Sequence, residues 1–217
     1  MNDVVATERT RLKRLHQRGH YDRATLDAVI DAAIIGTVGY VIDGEPYVTP
    51  TSVWREGDRL YWHGSSASRM LKTVKTGMPV CVNVFHLDGL VLARSGFHSS
   101  INYRSATLFG HAHAVEGKAA KLAALEAFVE RLTPGRWPEL RPVGDQELKA
   151  TTVVSMPIDE ASAKIRTGDP ADNEEDYALD VWAGVVPIRT VIDPPVDDAR
   201  LRPGIAAPDY LARIKIG

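Results

Sequence analysis

Cysteine is nearly missing: Cys81 is the only one in 217 residues. An intrachain disulfide is therefore excluded, and the chain suits a reducing compartment. Long apolar runs are missing too. No stretch of roughly 18 apolar residues occurs, so no transmembrane helix is expected. The start is polar from Asn2 and lacks the apolar core of a signal peptide. A cytoplasmic location is the expectation. Charge of one sign is also lacking: 26 Lys and Arg stand against 28 Asp and Glu, a formal charge of -2. That balance speaks against a general nucleic-acid binder. No GxGxxG follows the first strand, and no GxxxxGK[ST] or GxSxG occurs. The dinucleotide fold, the P-loop fold and the serine-hydrolase elbow are disfavoured together. Cys81 lies in the run Val80-Cys81-Val82, away from charge, and reads as core packing with a thiol kept protonated by burial.

What is present centres on Leu60 to Lys75, LYWHGSSASRMLKTVK. Leu60-Tyr61-Trp62 is strand-prone, Gly64-Ser65-Ser66 is a turn rich in N–H and hydroxyl donors, and Ala67 to Lys75 is helical in composition. A strand that turns tightly into a helix is a natural anion seat, because helix starts carry unpaired N–H groups and the positive dipole end. Arg69 and Lys72, three apart, share one helix face. The competing reading is an ordinary Ser-capped surface helix.

Around this stretch the pattern is mostly strands and tight turns. Residues 9–23 form an arm with six basic residues. Leu12, Leu15 and Tyr21 make it a segment wrapping the body or a partner rather than a nucleic-acid tail. Asp22 to Ala33 has helical spacing at Leu26, Val29 and Ile30, with Asp22 as cap. Ile35 to Ile42, Tyr47 to Trp54 and Arg59 to Trp62 are strands joined at Asp43-Gly44 and Glu56-Gly57-Asp58. Pro79 to His86 is a strand that Asp88-Gly89 turns back into Leu90 to Arg94. Tyr103 to Val115 is a long strand with Gly110 as a bend. Gly117 to Leu132 is a helix with a stripe at Leu122, Leu125, Val129 and Leu132, ended by Thr133-Pro134-Gly135. Glu147 to Ala150 adds a helical turn, Thr151 to Ile158 a strand, and Tyr177 to Val186 a last strand. Residues 169–180 carry six acids and read as a solvated loop. The tail 193–217 is irregular and lies on the surface. The whole reads as one domain, 1–217, with the arm 1–21 and that tail.

Six or seven strands linked by hairpins, several apolar on both faces, predict a mainly β fold: a closed antiparallel barrel with peripheral helices. Leu87 to Gly110 concentrates Arg94, Ser95, His98, Ser99, Ser100, Asn102, Tyr103, Arg104 and Ser105, which suits either a phosphate-bearing ligand or a polar subunit interface. His111 and His113 share a strand face. With no spacing that supplies further ligands, they read as an ordinary pair rather than a metal site.

These pieces carry a resemblance. Asp43-Gly44-Glu45-Pro46-Tyr47-Val48-Thr49-Pro50-Thr51, Leu60 to Ser65 with Ser68-Arg69-Met70-Leu71, Pro79 to Val82, Leu87 to Ser95, His98-Ser99, Asn102 to Ser105, Phe109-Gly110, Ser162 to Arg166 and Trp182 to Val185 together resemble the pyridoxamine 5'-phosphate oxidase-like flavin-binding proteins. The nitroimidazole-resistance branch is the nearer match. The resemblance implies a six-stranded antiparallel split barrel, a homodimer, and FMN in each interface cleft. Carried onto this chain, Thr49, Pro50, Thr51 and Ser52, then Trp62, His63, Gly64, Ser65 and Ser66, contact the flavin. Ser68, Arg69 and Lys72 hold its phosphate; Arg94, Asn102 and Arg104 line or support the cleft; Trp182 lies near the partner's flavin. His63 is the candidate catalytic residue, steadying substrate or flavin. The implied activity is an FMN-dependent oxidoreductase passing electrons to a small organic molecule or oxygen. The alternatives are a non-catalytic flavin-binding or stress-related interaction protein, or a split barrel using haem or deazaflavin. Neither membrane nor nucleic acid is an expected partner, and no metal is expected.

Overall fold

The Oδ1 of Asp22 accepts the backbone N–H of Thr25 at 2.8 Å, satisfying a donor the helix cannot pair internally. The first helix therefore starts where the sequence predicts. The computed structural model describes residues 3–216. After a two-residue strand β1 (Gly19–His20), helix α1 (Arg23–Ala32) buries Leu26, Val29 and Ile30. Strands β2 (Ile35–Ile42) and β3 (Glu45–Glu56) meet at Asp43-Gly44. The φ angles there, 51° and 83°, are the left-handed pair that a tight two-residue hairpin requires. β4 (Arg59–Ser65), helix α2 (Arg69–Val74), β5 (Thr76–Leu92) and β6 (Ser100–Ala114) follow. Helices α3 (Lys118–Leu132) and α4 (Asp145–Ala150) lead to β7 (Thr151–Pro157), β8 (Glu160–Arg166) and β9 (Gly184–Pro187).

The strands close a ring in the order β2-β3-β4-β7-β6-β5 and back to β2, every neighbouring pair antiparallel. The expected split barrel is thus the observed architecture. Alternation builds its interior: on β5, Val80, Val82 and Val84 are buried, while Cys81, Asn83 and Phe85 face the other side. Trp62, Leu60 and Val38 complete the same core, and α2 plugs it with Met70, Leu71 and Val74. Cys81 is therefore half-buried on the outer face, not part of the inner core, although burial still raises its thiol pKa.

Several local expectations fail for tertiary reasons. Asp88-Gly89 makes no turn: β5 runs on for 17 residues, with only a register shift between Leu87 and Gly89. Asn102 on one side and Pro187 of β9 on the other hold Gly89 in the sheet. A Cβ there would meet Val185 Cγ1 and Val186 O at 3.1 Å, so the glycine serves close approach, not reversal. Gly110 is no bend either; it pairs in register with Val80 and lets Met156 Cε approach to 3.2 Å of where its Cβ would stand. β8 carries small buried residues, Ala161, Ser162 and Ala163, too weakly patterned to announce a strand. On α3 only Ala124 is buried; it packs with Leu125, Ala127 and Phe128 against Trp54 and Val153, and the rest of the expected stripe is half-buried beside them.

The arm packs on the body. Val4 N–H donates to Tyr21 O at 3.0 Å, and Arg9 pairs with Glu160 of β8 while lying 4.9 Å over the ring of Phe109. The acidic loop is not wholly solvated: the Asp172 side chain is completely buried. The tail is mostly exposed, but Tyr210 is buried and its hydroxyl donates to Glu139 at 2.5 Å.

Candidate functional site

β3 changes partners midway, and the change opens the barrel. Residues 45–52 of β3 pair with β2, and residues 53–56 pair with β4. The β3–β4 ladder ends at Val53 opposite Trp62. Beyond that pair, the only strand neighbours of His63, Gly64 and Ser65 among the described residues are Val153, Thr152 and Thr151 of β7. A seam is left between Thr49 to Ser52 on one lip and His63 to Ser65 on the other. Pro50 sits at this edge, where its missing N–H deprives no ladder partner. Thr51 Oγ1 reaches across to His63 O at 3.5 Å, and Thr49 Oγ1 lies 3.1 Å from Tyr40 Oη.

Helix α2 covers the seam. It sits so close to β4 that a Cβ on Gly64 would come within 3.1 Å of Leu71 Cδ1. With Met70 and Leu71 buried, Arg69 and Lys72 face outward. The Arg69 guanidinium lies 4.8 Å from the centre of the Tyr47 ring, a cation–π contact that fixes its position. No local pattern marks Tyr47 for this role, because only the barrel's curvature brings the start of β3 to α2.

The donor set is smaller than the turn composition implies. Ser66 N–H donates to Ala150 O and its hydroxyl to Lys149 O, both at 2.7 Å. Ala67 N–H uses Ser65 Oγ at 3.2 Å, and Ser68 N–H uses Ser65 O at 2.9 Å. The turn is tied to the end of α4, and Ser66 offers a ligand nothing from either donor. Ser68, Arg69 and Lys72 keep side chains directed to no described partner other than the Tyr47 ring.

Trp62 does not line the seam. Its side chain is fully buried in the barrel core, and its indole Nε1 has no partner among the described residues. Any ligand contact there is through backbone. His63 points the other way, into the layer beneath α3, with ring centres 4.5 Å from Phe128 and 5.7 Å from Trp54. Its Nδ1 is buried without a partner among the described residues, as is Trp54 Nε1. Burial lowers the imidazole pKa, since a charge loses water there and gains no counter-ion. The unfolded chain therefore binds that proton more readily. Stability from neutral His63 is complete above the unfolded value, about 6.5, and is lost as pH falls through the folded one. His63→Phe is expected to flatten the loss of thermal stability between pH 7 and pH 5. Parallel melting-temperature profiles for the two proteins would refute it.

The other expected site residues lie along the β5–β6 hairpin and at β9, and internal partners engage the three on the hairpin. Arg94 binds Asp172 at 3.2 Å and lies 4.7 Å over the Tyr177 ring. Burial acts to raise the Asp172 pKa, but the hydrogen bonds from Arg94 and Ser95 outweigh it and hold the carboxyl below its ordinary value. Arg104 forms a two-bond pair with Asp88 at 3.0 and 2.9 Å. Asn102 donates to Gly168 O at 3.1 Å and accepts from Arg166. Trp182 is 66 % exposed and packs over Gly184. His111 Nδ1 meets Gly77 O at 2.8 Å, and His113 crowds the same glycine. Among the described residues no cluster of three His, Cys, Asp or Glu side chains is arranged to hold a metal ion, and no helix is long and apolar enough to cross a membrane.

The family pattern described as pyridoxamine 5'-phosphate oxidase matches residues 22–165. No curated protein matches the chain. Among solved structures, the flavocytochrome Anf3 from Azotobacter vinelandii is 46% identical, with 97% of this chain and 98% of that chain covered and a TM-score of 0.93. The FAD and heme binding protein from Mycobacterium smegmatis is 38% identical over 91% of this chain and 97% of its own, with a TM-score of 0.87. A 5-nitroimidazole antibiotic resistance protein from Bacteroides thetaiotaomicron, so described, is 23% identical over 68% of this chain and 86% of its own, at a TM-score of 0.56. At that identity it shows the fold alone.

Proposed function

Because the chain belongs to the pyridoxamine 5'-phosphate oxidase family of flavin-binding split barrels, we propose that it is a redox protein carrying a flavin at the β3–β4 seam and a haem on the β5–β6 hairpin. The observation that carries the flavin reading is the seam itself: two unpaired strand lips under a helix that presents Ser68, Arg69 and Lys72. The anionic tail of the flavin suits Arg69 and Lys72, and the polar edge of its ring suits Thr49, Thr51 and Ser52. The 38% identical relative is described as binding FAD and haem, which favours FAD over the FMN expected from the sequence.

The hairpin fits the chemistry of haem. Phe85, Leu87, Ile101 and Tyr103 line a cleft of about 320 Å³, and Phe85 is 68 % exposed. An adjoining cleft brings Arg189 to its edge, while Arg104 there is paired with Asp88. An apolar floor with a cationic rim suits a flat apolar macrocycle with carboxylate arms. Of the hairpin's four imidazoles, His86 lines this cleft and His98 stands in the turn, while His111 and His113 lie at the far end. His86 Nε2 is held by Val29 O at 3.0 Å, whereas the His98 ring has no hydrogen-bond partner among the described residues, so His98 is the freer to meet iron.

When bound, the flavin supplies one- and two-electron transfer and the haem one-electron transfer. The protein's part is to bind and orient: Tyr47 fixes Arg69, and the α2 plug keeps water from the barrel core. His63 is given no proton-transfer step; buried beneath α3, it is kept neutral and braced by aromatic rings. A second copy would cover Ile35, Val41, Val48 and Phe85, which are at least half exposed and would otherwise leave a large apolar surface in water. The purified protein is expected to show flavin absorption and a Soret band, and to sediment as a dimer. His98→Ala should weaken the Soret band and spare the flavin. A colourless preparation that takes up neither group on reconstitution would sink the reading.

A further inference from the structure

Two clefts that share Val115, Glu116 and Lys121 form one groove beside the seam, with volumes of about 350 and 300 Å³. Together they fall within the range of small-ligand sites, roughly 300–1,000 Å³. Four lysines line the groove, Lys75, Lys118, Lys121 and Lys149, against two carboxylates, Glu116 and Asp145. Lys118 is paired with Asp145 at 2.5 Å, and Lys121 donates to Leu148 O. Lys75 and Lys149 have no ion pair among the described residues. The sheet register joins the groove to the seam: its wall residue Thr152 stands opposite Gly64, and Thr151 opposite Ser65. Ser66 is bonded to Lys149 O. The remaining wall, Val115, Leu148 and Val153, is apolar.

We propose that this groove takes the adenosine monophosphate half of a flavin adenine dinucleotide. The inference rests on the flavin reading above and adds to it a place for the second phosphate and the adenine. The uncompensated lysines match the charge of the adenosine-side phosphate, and the three apolar side chains suit one face of a purine. Lys121 fits this role: burial lowers its pKa, a cost that a neighbouring anion would relieve. Nothing in the sequence marks these lysines as a set, because they come from α2's end, α3 and α4.

The test is a titration of flavin-stripped protein with FAD, FMN and ADP. FAD is expected to bind about tenfold or more tightly than FMN, the scale of one good charge-assisted contact. Lys75→Gln with Lys149→Gln should remove that margin and leave FMN affinity unchanged, which also shows that the variant is folded. Equal affinities for FAD and FMN in the native protein overturn the groove and leave the flavin reading standing. So does a margin that survives both substitutions combined with Lys121→Met. ADP binding that the substitutions weaken, with no FAD margin, marks a free-nucleotide site and overturns the placement. Failure to bind either flavin overturns both.

Discussion

Trp62→Ala is expected to lower stability by about 3–5 kcal/mol, the scale of emptying a large buried aromatic site, and melting temperature by roughly 10 °C for a chain of this size. Trp62 is fully buried in the barrel, packed with the strands that meet at the seam. Trp62→Phe is the informative companion. It removes an indole N–H that has no partner among the described residues, a group whose burial unpaired costs about 1–3 kcal/mol, while keeping most of the ring. Thermal melts should therefore show a small change for phenylalanine and a large one for alanine. A phenylalanine variant as damaged as the alanine one would mean that the indole N–H has a partner, and that Trp62 does more than fill the core.

Arg69→Ala with Lys72→Ala is expected to weaken flavin binding by about ten- to a hundredfold, since a hydrogen bond to a charged group contributes about 1.5–3 kcal/mol. Folding should be untouched, because both side chains face outward from α2. FMN and FAD should lose affinity alike, unlike the effect of changing the groove lysines. Arg69 should account for more of the loss than Lys72, because the Tyr47 ring already holds its guanidinium in place and less freedom is given up on binding. Fluorescence titration reads both effects. Unchanged affinity in the double variant would remove the flavin phosphate from α2.

Much of the barrel was legible because its signals are local. Asp22 and Asp43-Gly44 act through their own backbone neighbours, and alternation along β5 needs only the period of a strand. The family motifs add what no periodicity supplies, the split in the barrel and its flavin. The site was legible only in outline. Ser66 reads as an open donor until the end of α4 is found bonded to it. Trp62 and His63 read as neighbours at one site until the pleat sends one into the core and the other under α3. Arg94 and Arg104 read as free cations until Asp172 and Asp88 are found against them, one partner 78 residues away in sequence.

By itself, then, the sequence determined most of the strand-and-turn grammar, though not β8 or the course of β5 past Asp88, together with the family and the short segment where β4 turns into α2. Those depend on interactions within a few residues, which composition and spacing record. Only the tertiary structure decided which polar groups are still free, because a donor or a charge is spent by whichever group the fold brings within about 3 Å. That choice is made by strand register and barrel closure, which join residues with no sequence relation to one another.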